Sequence, residues 1–181
     1  MDYSRSRQCS NSQGGVSKLY IMPFVDYLES EITVVNNMLV SFPFSTIYDL
    51  NAININYNLD GKEDKDIYYD EKVSFQIKKL LETDNFREFI QQDYRIIIKD
   101  NNGKFRLLGL RNGLKGEYKE DVGTNRNEFN GDALNSRGKE KFSAPYLNDL
   151  SFFNIMPIEG LLLQDGNDNI IQDGNSNEIT N

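Results

Sequence analysis

The chain has 181 residues, of which 28 are Asp or Glu and 20 are Lys or Arg, so its formal net charge is −8. This length fits one domain with appendages and suffices to bury a normal core. A net negative chain has no overall electrostatic attraction to nucleic acid or to an anionic membrane, and no apolar run approaches the ~18–20 residues that span a bilayer. The single cysteine, Cys9, excludes an internal disulfide and is typical of a protein that matures in a reducing cytoplasm.

The sequence contains no histidine. Histidine is the side chain most used for proton transfer near neutral pH and the commonest metal ligand, so Ser-His-Asp, Cys-His and ordinary zinc sites are excluded. Glycan hydrolysis by two carboxylates stays open, because it needs only two carboxyl groups about 5–10 Å apart in a cleft. No Asp or Glu pair stands at a distinctive spacing, however. We therefore predict that the protein is not an enzyme and uses no cofactor.

The first part of the chain predicts strands separated by polar connections. Residues 1–15 form a polar leader, and residues 18–22 predict a first strand. The segment 24–40 combines helical spacing with β-branched residues, and we expect a strand-rich connection there. In 53–59, apolar and polar residues alternate without a break, which predicts a half-buried antiparallel strand with a turn at 60–64.

The middle of the chain predicts a strand, a short helix and a hairpin. A second alternating run covers 69–81, and an apolar stripe predicts a helix over about 84–92. Residues 94–110 have the pattern of two strands around an Asn- and Gly-rich turn at 100–103. The Lys and Arg residues from 87 to 119 are interleaved with acids, which predicts a solvated sheet face. This order of elements predicts a mainly β fold, a β-sandwich or open barrel with one short flanking helix.

The stretch 111–142 is rich in glycine and poor in large apolar residues. Loops longer than about 12–15 residues are uncommon in compact domains unless they have a function. Within a core domain of 16–145, we therefore predict that 111–142 is a long projecting β-arm that docks on a neighbouring subunit. Deleting 115–141 is then expected to leave the sandwich folded but to abolish multimerisation. The candidate interface residues of the arm and of the C-terminal extension are Tyr118, Val122, Phe129, Leu134, Phe142, Leu162, Ile170 and Ile171.

The C-terminal extension, 146–181, contains a tandem repeat at 163–170 and 171–178. Each copy is an aliphatic residue followed by Gln-Asp-Gly-Asn, which is typical of a strand that runs into a tight turn. Two copies are too few for a solenoid, so these strands need another surface, such as the next subunit. The candidate calcium ligands are Asp165, Asp168 and Asp173. Their glycine placement does not match an EF-hand, so we interpret the repeat as plain β-turns and predict no metal site.

Several short motifs together resemble a known class of proteins. They are Gly-Gly at 14–15, Asp-Asn-Asn-Gly at 100–103, Leu-Leu-Gly at 107–109, Lys-Gly-Glu at 115–117, Asn-Gly-Asp at 130–132 and Ala-Pro at 144–145. With the order of elements, they resemble small structural tail proteins of tailed bacteriophages, of the tail-tube-like or tail-ring type. The resemblance is nearest to proteins of crAss-like and other Bacteroides-group phages and covers roughly 14–145.

The resemblance implies a virion structural protein, assembled in the host cytoplasm, that forms a homo-oligomeric ring in the phage tail or head–tail connector. Its partners would be other tail or connector proteins, with no membrane, and genomic DNA would pass through the lumen without specific binding. The alternative is a phage adsorption or fibre-associated binding module that recognises a glycan or surface receptor. Such a module would present an exposed aromatic platform.

Overall fold

A computed structural model of the chain describes residues 15–63, 67–78, 84–122 and 130–158. None of the helices in these ranges has the length and apolar character needed to cross a membrane. The elements are β1 (Val16–Pro23), a 3-10 turn (Glu29–Glu31), β2 (Thr33–Val35), β3 (Met38–Ser41), β4 (Ser45–Asp49), β5 (Ile53–Glu63), β6 (Ile67–Lys78), α1 (Asp84–Gln91), β7 (Tyr94–Asp100), β8 (Phe105–Leu108), β9 (Lys115–Val122), β10 (Asn130–Glu140), β11 (Tyr146–Leu147) and β12 (Phe153–Pro157).

These strands form two sheets, and the predicted mainly β fold with one short helix is confirmed. The larger sheet has eight strands in the order β12-β4-β1-β7-β8-β11-β3-β2, and the smaller has four in the order β5-β6-β10-β9. Strands β11 and β12, from the start of the C-terminal extension, pair in parallel with β3 and β4. The described part of the extension therefore belongs to the larger sheet.

The larger sheet curls into an open barrel because a short connection joins two distant strands. Strands β4 and β3 are second and seventh in the sheet, yet only residues 42–44 separate them in the chain. In a flat sheet they would stand about 24 Å apart, at about 4.8 Å per strand. The four Cα–Cα steps from Ser41 to Ser45 reach about 15 Å at most. The sheet must therefore bend round, and it encloses a cluster built from its own strands.

The central strands of the larger sheet are buried on both faces. On β7, Ile96 and Ile98 belong to the core between the two sheets, whereas Ile97 belongs to the core inside the barrel. Residues of β6, β10 and α1 cover the first core from the other side. The molecule thus combines the sandwich and the open barrel that the sequence predicts as alternatives.

Several predicted elements are confirmed. Residues 18–22 lie in β1, and the helix is found at Asp84–Gln91. Residues 94–110 contain the β7–β8 hairpin, in which Gly103 takes the left-handed conformation with φ of 81°. The sequence predicts a strand-rich connection at 24–40, which contains β2 and most of β3, but irregular chain and a 3-10 turn at Glu29–Glu31 make up the larger part.

The turn predicted at 60–64 is wrong for its described residues. Strand β5 continues to Glu63, and Gly61 and Lys62 pair with Tyr69 and Tyr68 of β6. Cross-strand contact explains this, because the ring of Tyr69 lies directly over Gly61. A register shift near the start of β5 also turns Ile53 partly towards solvent, so the predicted apolar face is incomplete.

The segment predicted as a projecting arm is built of strands, but those strands complete the smaller sheet. Strand β10 lies between β6 and β9 and pairs with both. Leu134, at its centre, is 1% exposed and belongs to the core between the sheets. The inward positions of β10 alternate as Asp132, Leu134, Ser136 and Glu140, and this mostly polar series conceals the period of two that marks a strand. The expectation that 115–141 is dispensable for folding is therefore withdrawn.

We predict that Leu134→Ala destabilises the fold by about 2–5 kcal/mol, because it opens a cavity between the two sheets. Urea unfolding followed by circular dichroism measures this loss. The matched control is Asn135→Ala, whose side chain faces solvent on the same strand and whose replacement is expected to change stability by no more than about 0.5 kcal/mol. Equal, small effects of both substitutions would contradict the placement of β10 in the core. They would instead support the predicted arm, loosely attached to the domain.

Candidate functional site

A cleft of about 600 Å³ lies between the β2–β3 region and the smaller sheet. We call it the glutamate cleft. The residues that line it include Ile32, Val34, Tyr69, Glu71, Leu110, Arg111, Glu140, Phe142, Ala144 and Pro145. Most of its walls are apolar, and its acidic groups come from two neighbouring strands.

Strand pairing brings the two glutamates of the cleft together. Glu71 on β6 stands opposite Gly138 on β10, and Glu140 stands opposite Tyr69. The two glutamates are therefore diagonal neighbours, for which separations of about 7–8 Å are usual. Both point inward, since Glu71 is fully buried and Glu140 is 4% exposed.

Both carboxylates bind the turn that carries the chain from one sheet to the other. Residues 109–113, the crossover turn, lie between β8 of the larger sheet and β9 of the smaller one. The Gly109 N–H donates to Glu71 Oε2 at 2.7 Å. The N–H groups of Arg111 and Asn112 both donate to Glu140 Oε1 at 2.8 Å. The two glutamates thus accept three backbone N–H groups of the turn, and the one at Gly109 is buried.

Glycine is required where the crossover turn touches β10. A Cβ atom added at Gly138 would stand 2.7 Å from the carbonyl oxygen of Gly113, which is closer than real Cβ contacts. Gly113 itself has a φ of 72°, in the left-handed region that favours glycine. These two glycines allow the turn to lie flat on the strand between Glu71 and Glu140.

Burial dominates the electrostatics of the glutamates. It raises the pKa of Glu71 from its ordinary 4.5 to about 8; the Gly109 hydrogen bond opposes this shift, and the charge of Glu140 adds to it. Burial also raises the pKa of Glu140, while the N–H groups of Asn112 and Arg111 oppose the shift. The second oxygen of Glu71, Oε1, has no hydrogen-bond partner among the described residues.

A buried arginine, Arg95, lies on β7 of the larger sheet, on the face of that strand that points into the barrel. Arg95 is 1% exposed, and its guanidinium donates to the carbonyl oxygens of Leu110 and Val25 at 3.1 and 2.9 Å. The guanidinium also stacks 4.1 Å from the ring centre of Phe24. Burial lowers the pKa of Arg95 to about 10. The prediction of a solvated face for the basic residues from 87 to 119 is therefore wrong for Arg95, because the aromatic segment after β1 covers it.

The predicted interface residues do not form one surface. Leu134 is buried and Tyr118 is half-buried, with its hydroxyl donating to Asp132 Oδ1, so both serve the interior of this chain. Val122 ends β9, where its backbone pairs with Asn130. Phe142 is 66% exposed at the cleft. The remaining candidates lie outside the described residues: Phe129, Leu162, Ile170 and Ile171 for the interface, and Asp165, Asp168 and Asp173 for calcium.

Sequence reasoning did not identify Glu71 and Glu140, although a signal was present. Glu71 has the same strand phase as Val73, Phe75 and Ile77, which marks it as an inward position. Glu140 has the phase of Leu134 in the same way. Their pairing could not be read from the sequence, because it depends on how β6 aligns with a strand more than 60 positions away.

No group of three or more Cys, Asp or Glu side chains in the described ranges is placed to hold a metal ion. Comparisons with protein-family models, with curated proteins and with solved structures found no match for this chain.

We predict that the stability of the fold decreases as the pH rises from about 4.5 to about 8. In this range folded Glu71 keeps its proton while the unfolded side chain has lost it, so raising the pH favours the unfolded state. In Glu71→Gln, which keeps an acceptor for Gly109, this component disappears. The difference amounts to a few kcal/mol, at about 1.4 kcal/mol for each unit of pKa shift. Urea unfolding at several pH values between 4 and 9 measures it.

The control for this experiment is Glu117→Gln, which alters an exposed glutamate of β9 and is expected to keep the wild-type pH profile. Glu140 contributes a decrease of the same sign in all three proteins. Parallel profiles for wild type and Glu71→Gln would contradict the raised pKa of Glu71.

Proposed function

We propose that this chain is a structural subunit of a protein assembly, a virion protein that forms a homo-oligomeric ring in a phage tail or head–tail connector. The observation that carries this proposal is the apolar edge of the eight-stranded sheet at β2, whose outer side no described strand pairs.

Strand β2 is the last strand of its sheet, and all three of its residues are exposed. Val34 and Val35 are 39% and 51% exposed. Proteins usually protect such edges with lysine, proline or a covering loop, because unpaired N–H and C=O groups can pair with another chain. Here the whole segment 32–48 has no charged residue, although 27% of the chain is charged.

Apolar exposure continues from β2 along the same segment. Val40 of β3 is 56% exposed, and Phe44 in the following connection is 74% exposed. Contiguous exposed apolar residues mark interaction surfaces more often than ordinary solvent-facing ones. We infer that a protein partner covers this segment in the assembled state.

The other edge of the sheet explains how a ring could form. That edge is β12, on which Ile155 is exposed. Two different edges on one sheet allow a head-to-tail contact, in which β2 of one copy pairs with β12 of the next. Heterologous contacts of this kind close into rings when the rotation between copies allows it. A net charge of −8 would let DNA pass through such a ring without adhering to its wall.

Two alternatives have less support. A glycan-binding module would use an aromatic platform, whereas the exposed aromatic side chains of the described residues are Phe44 and Phe142, which lie in separate segments. Hydrolysis by two carboxylates would use Glu71 and Glu140, which meet in a cleft. Both accept hydrogen bonds from the crossover turn, and burial raises the pKa of both, whereas hydrolysis needs one carboxyl group of the pair to stay ionised.

We predict that wild-type protein forms closed oligomers of one stoichiometry, observed by native mass spectrometry over a range of concentrations. Val35→Lys places a charge on the edge and is expected to raise the concentration needed for assembly by about tenfold or more, equivalent to about 1.4 kcal/mol. Ile155→Lys should have a comparable effect, since the head-to-tail contact uses both edges.

The control is Asn58→Lys, an exposed position on β5 of the smaller sheet, which should assemble as wild type does. If Val35→Lys weakens assembly and Ile155→Lys does not, the contact is a symmetric pairing of two β2 edges and not a head-to-tail ring. Assembly that neither lysine affects would exclude both edges from the contact.

A further inference from the structure

We propose that the glutamate cleft binds an organic cation, an ammonium or guanidinium group on an apolar stem, with the charged group against Glu71 and Glu140. This proposal does not depend on assembly into a ring. Three features support it: a carboxylate oxygen without a hydrogen-bond donor among the described residues, arginines that are directed to other groups, and apolar walls.

The two carboxylates of the cleft have fewer hydrogen-bond donors than they can accept. Glu71 is fully buried, and its Oε1 has no partner among the described residues, while its Oε2 accepts one backbone N–H. Glu140 accepts two backbone N–H groups on one oxygen. A buried acceptor without a donor is costly, so a bound group that donates to Glu71 would recover free energy.

The arginines that influence these carboxylates are engaged elsewhere. Arg106, on β8, directs its guanidinium to the hydroxyls of Tyr57 and Tyr146. Arg111 directs its own to Glu29 at 3.4 Å. The guanidinium of Arg95 donates to backbone carbonyl oxygens, as described above. None of the three forms an ion pair with Glu71 or Glu140 within the described residues.

The walls of the cleft suit the remainder of such a ligand. Ile32, Val34, Leu110, Ala144 and Pro145 supply apolar contacts for an alkyl stem. The ring of Phe142 adds an aromatic contact at the cleft, and the ammonium of Lys141 lies 5.8 Å from its centre. The volume of about 600 Å³ lies within the ~300–1,000 Å³ that small-molecule sites usually have.

A cation fits this site better than a neutral or an anionic ligand. A neutral hydroxyl group would supply one donor but no charge, and an anion would bring further acceptors to a site that lacks donors. A cation supplies donors and charge together. Its arrival would also lower the pKa of Glu71 from about 8, so that binding near neutral pH releases a proton.

Isothermal titration calorimetry tests the proposal with pentylammonium and with 1-pentanol, a neutral probe of nearly the same size. We expect wild-type protein to bind pentylammonium at least about tenfold more tightly than 1-pentanol, equivalent to about 1.4 kcal/mol. Titrations at pH 7 in two buffers of different ionisation enthalpy should show that a proton is released. A third probe, N-acetyl-lysine methylamide, distinguishes the source of the cation: tighter binding than pentylammonium indicates a side chain of a partner protein, and weaker binding indicates a free amine.

Glu71→Gln should abolish the preference for pentylammonium over 1-pentanol, and Glu117→Gln should preserve it. Circular dichroism establishes whether each variant is folded, and the comparison of the two probes on wild-type protein needs no variant. Equal affinity of wild type for both probes, or no binding of pentylammonium, would overturn the proposal. A folded Glu71→Gln protein that keeps the wild-type preference would overturn it as well.

Discussion

The position of the two sheets relative to each other depends on the hydrogen bonds from the crossover turn to Glu71 and Glu140. At residues 109–113 the chain leaves the barrel and enters the smaller sheet, and the turn begins in two buried residues, Gly109 and Leu110. Three of its N–H groups donate to the two carboxylates, and the N–H of Gly109 is buried, so it depends on Glu71 for a partner. Because those carboxylates stand on β6 and β10, the register of these strands also fixes the position of the turn. A slip of one residue would turn both glutamates to the opposite face of the sheet.

The same interaction explains why acidic groups occur in the core of this fold. Burying a carboxylate is costly, and the cost appears in the raised pKa of both glutamates. Backbone donors offset it incompletely, because Oε1 of Glu71 has no partner in the described structure. One group therefore links three properties: the position of the turn, the pH dependence of stability and the capacity of the cleft to accept a cation. A ligand that satisfied Glu71 would also stabilise the contact between the sheets.

The sequence predicts those parts of the fold in which local patterning and burial agree. The β7–β8 hairpin combines a run of isoleucines with an Asn-Gly turn, and α1 has a clear apolar stripe, so both were identified. The sequence predicts an arm where β10 lies, because the inward residues of this strand are mainly polar or small. Their burial depends on partners that only the fold supplies: the crossover turn for Glu140 and the Tyr94 hydroxyl for Ser136. The sequence predicts a solvated position for Arg95 for the same reason, because the aromatic ring that covers it, that of Phe24, belongs to another segment.

The uncharged segment 32–48 contains apolar residues that the core of this chain explains and others that it does not. Ile32, Leu39, Phe42 and Ile47 fill the barrel interior, so the core of this chain accounts for them. Val34, Val35, Val40 and Phe44 are exposed and have no such role. Since apolar residues on an unpaired edge favour uncontrolled association, their presence is best explained by a specific partner strand. Ile32 and Val34 also line the glutamate cleft, so a neighbour seated on β2 would adjoin the cation site. Assembly and cation binding would then influence one another through the same few residues.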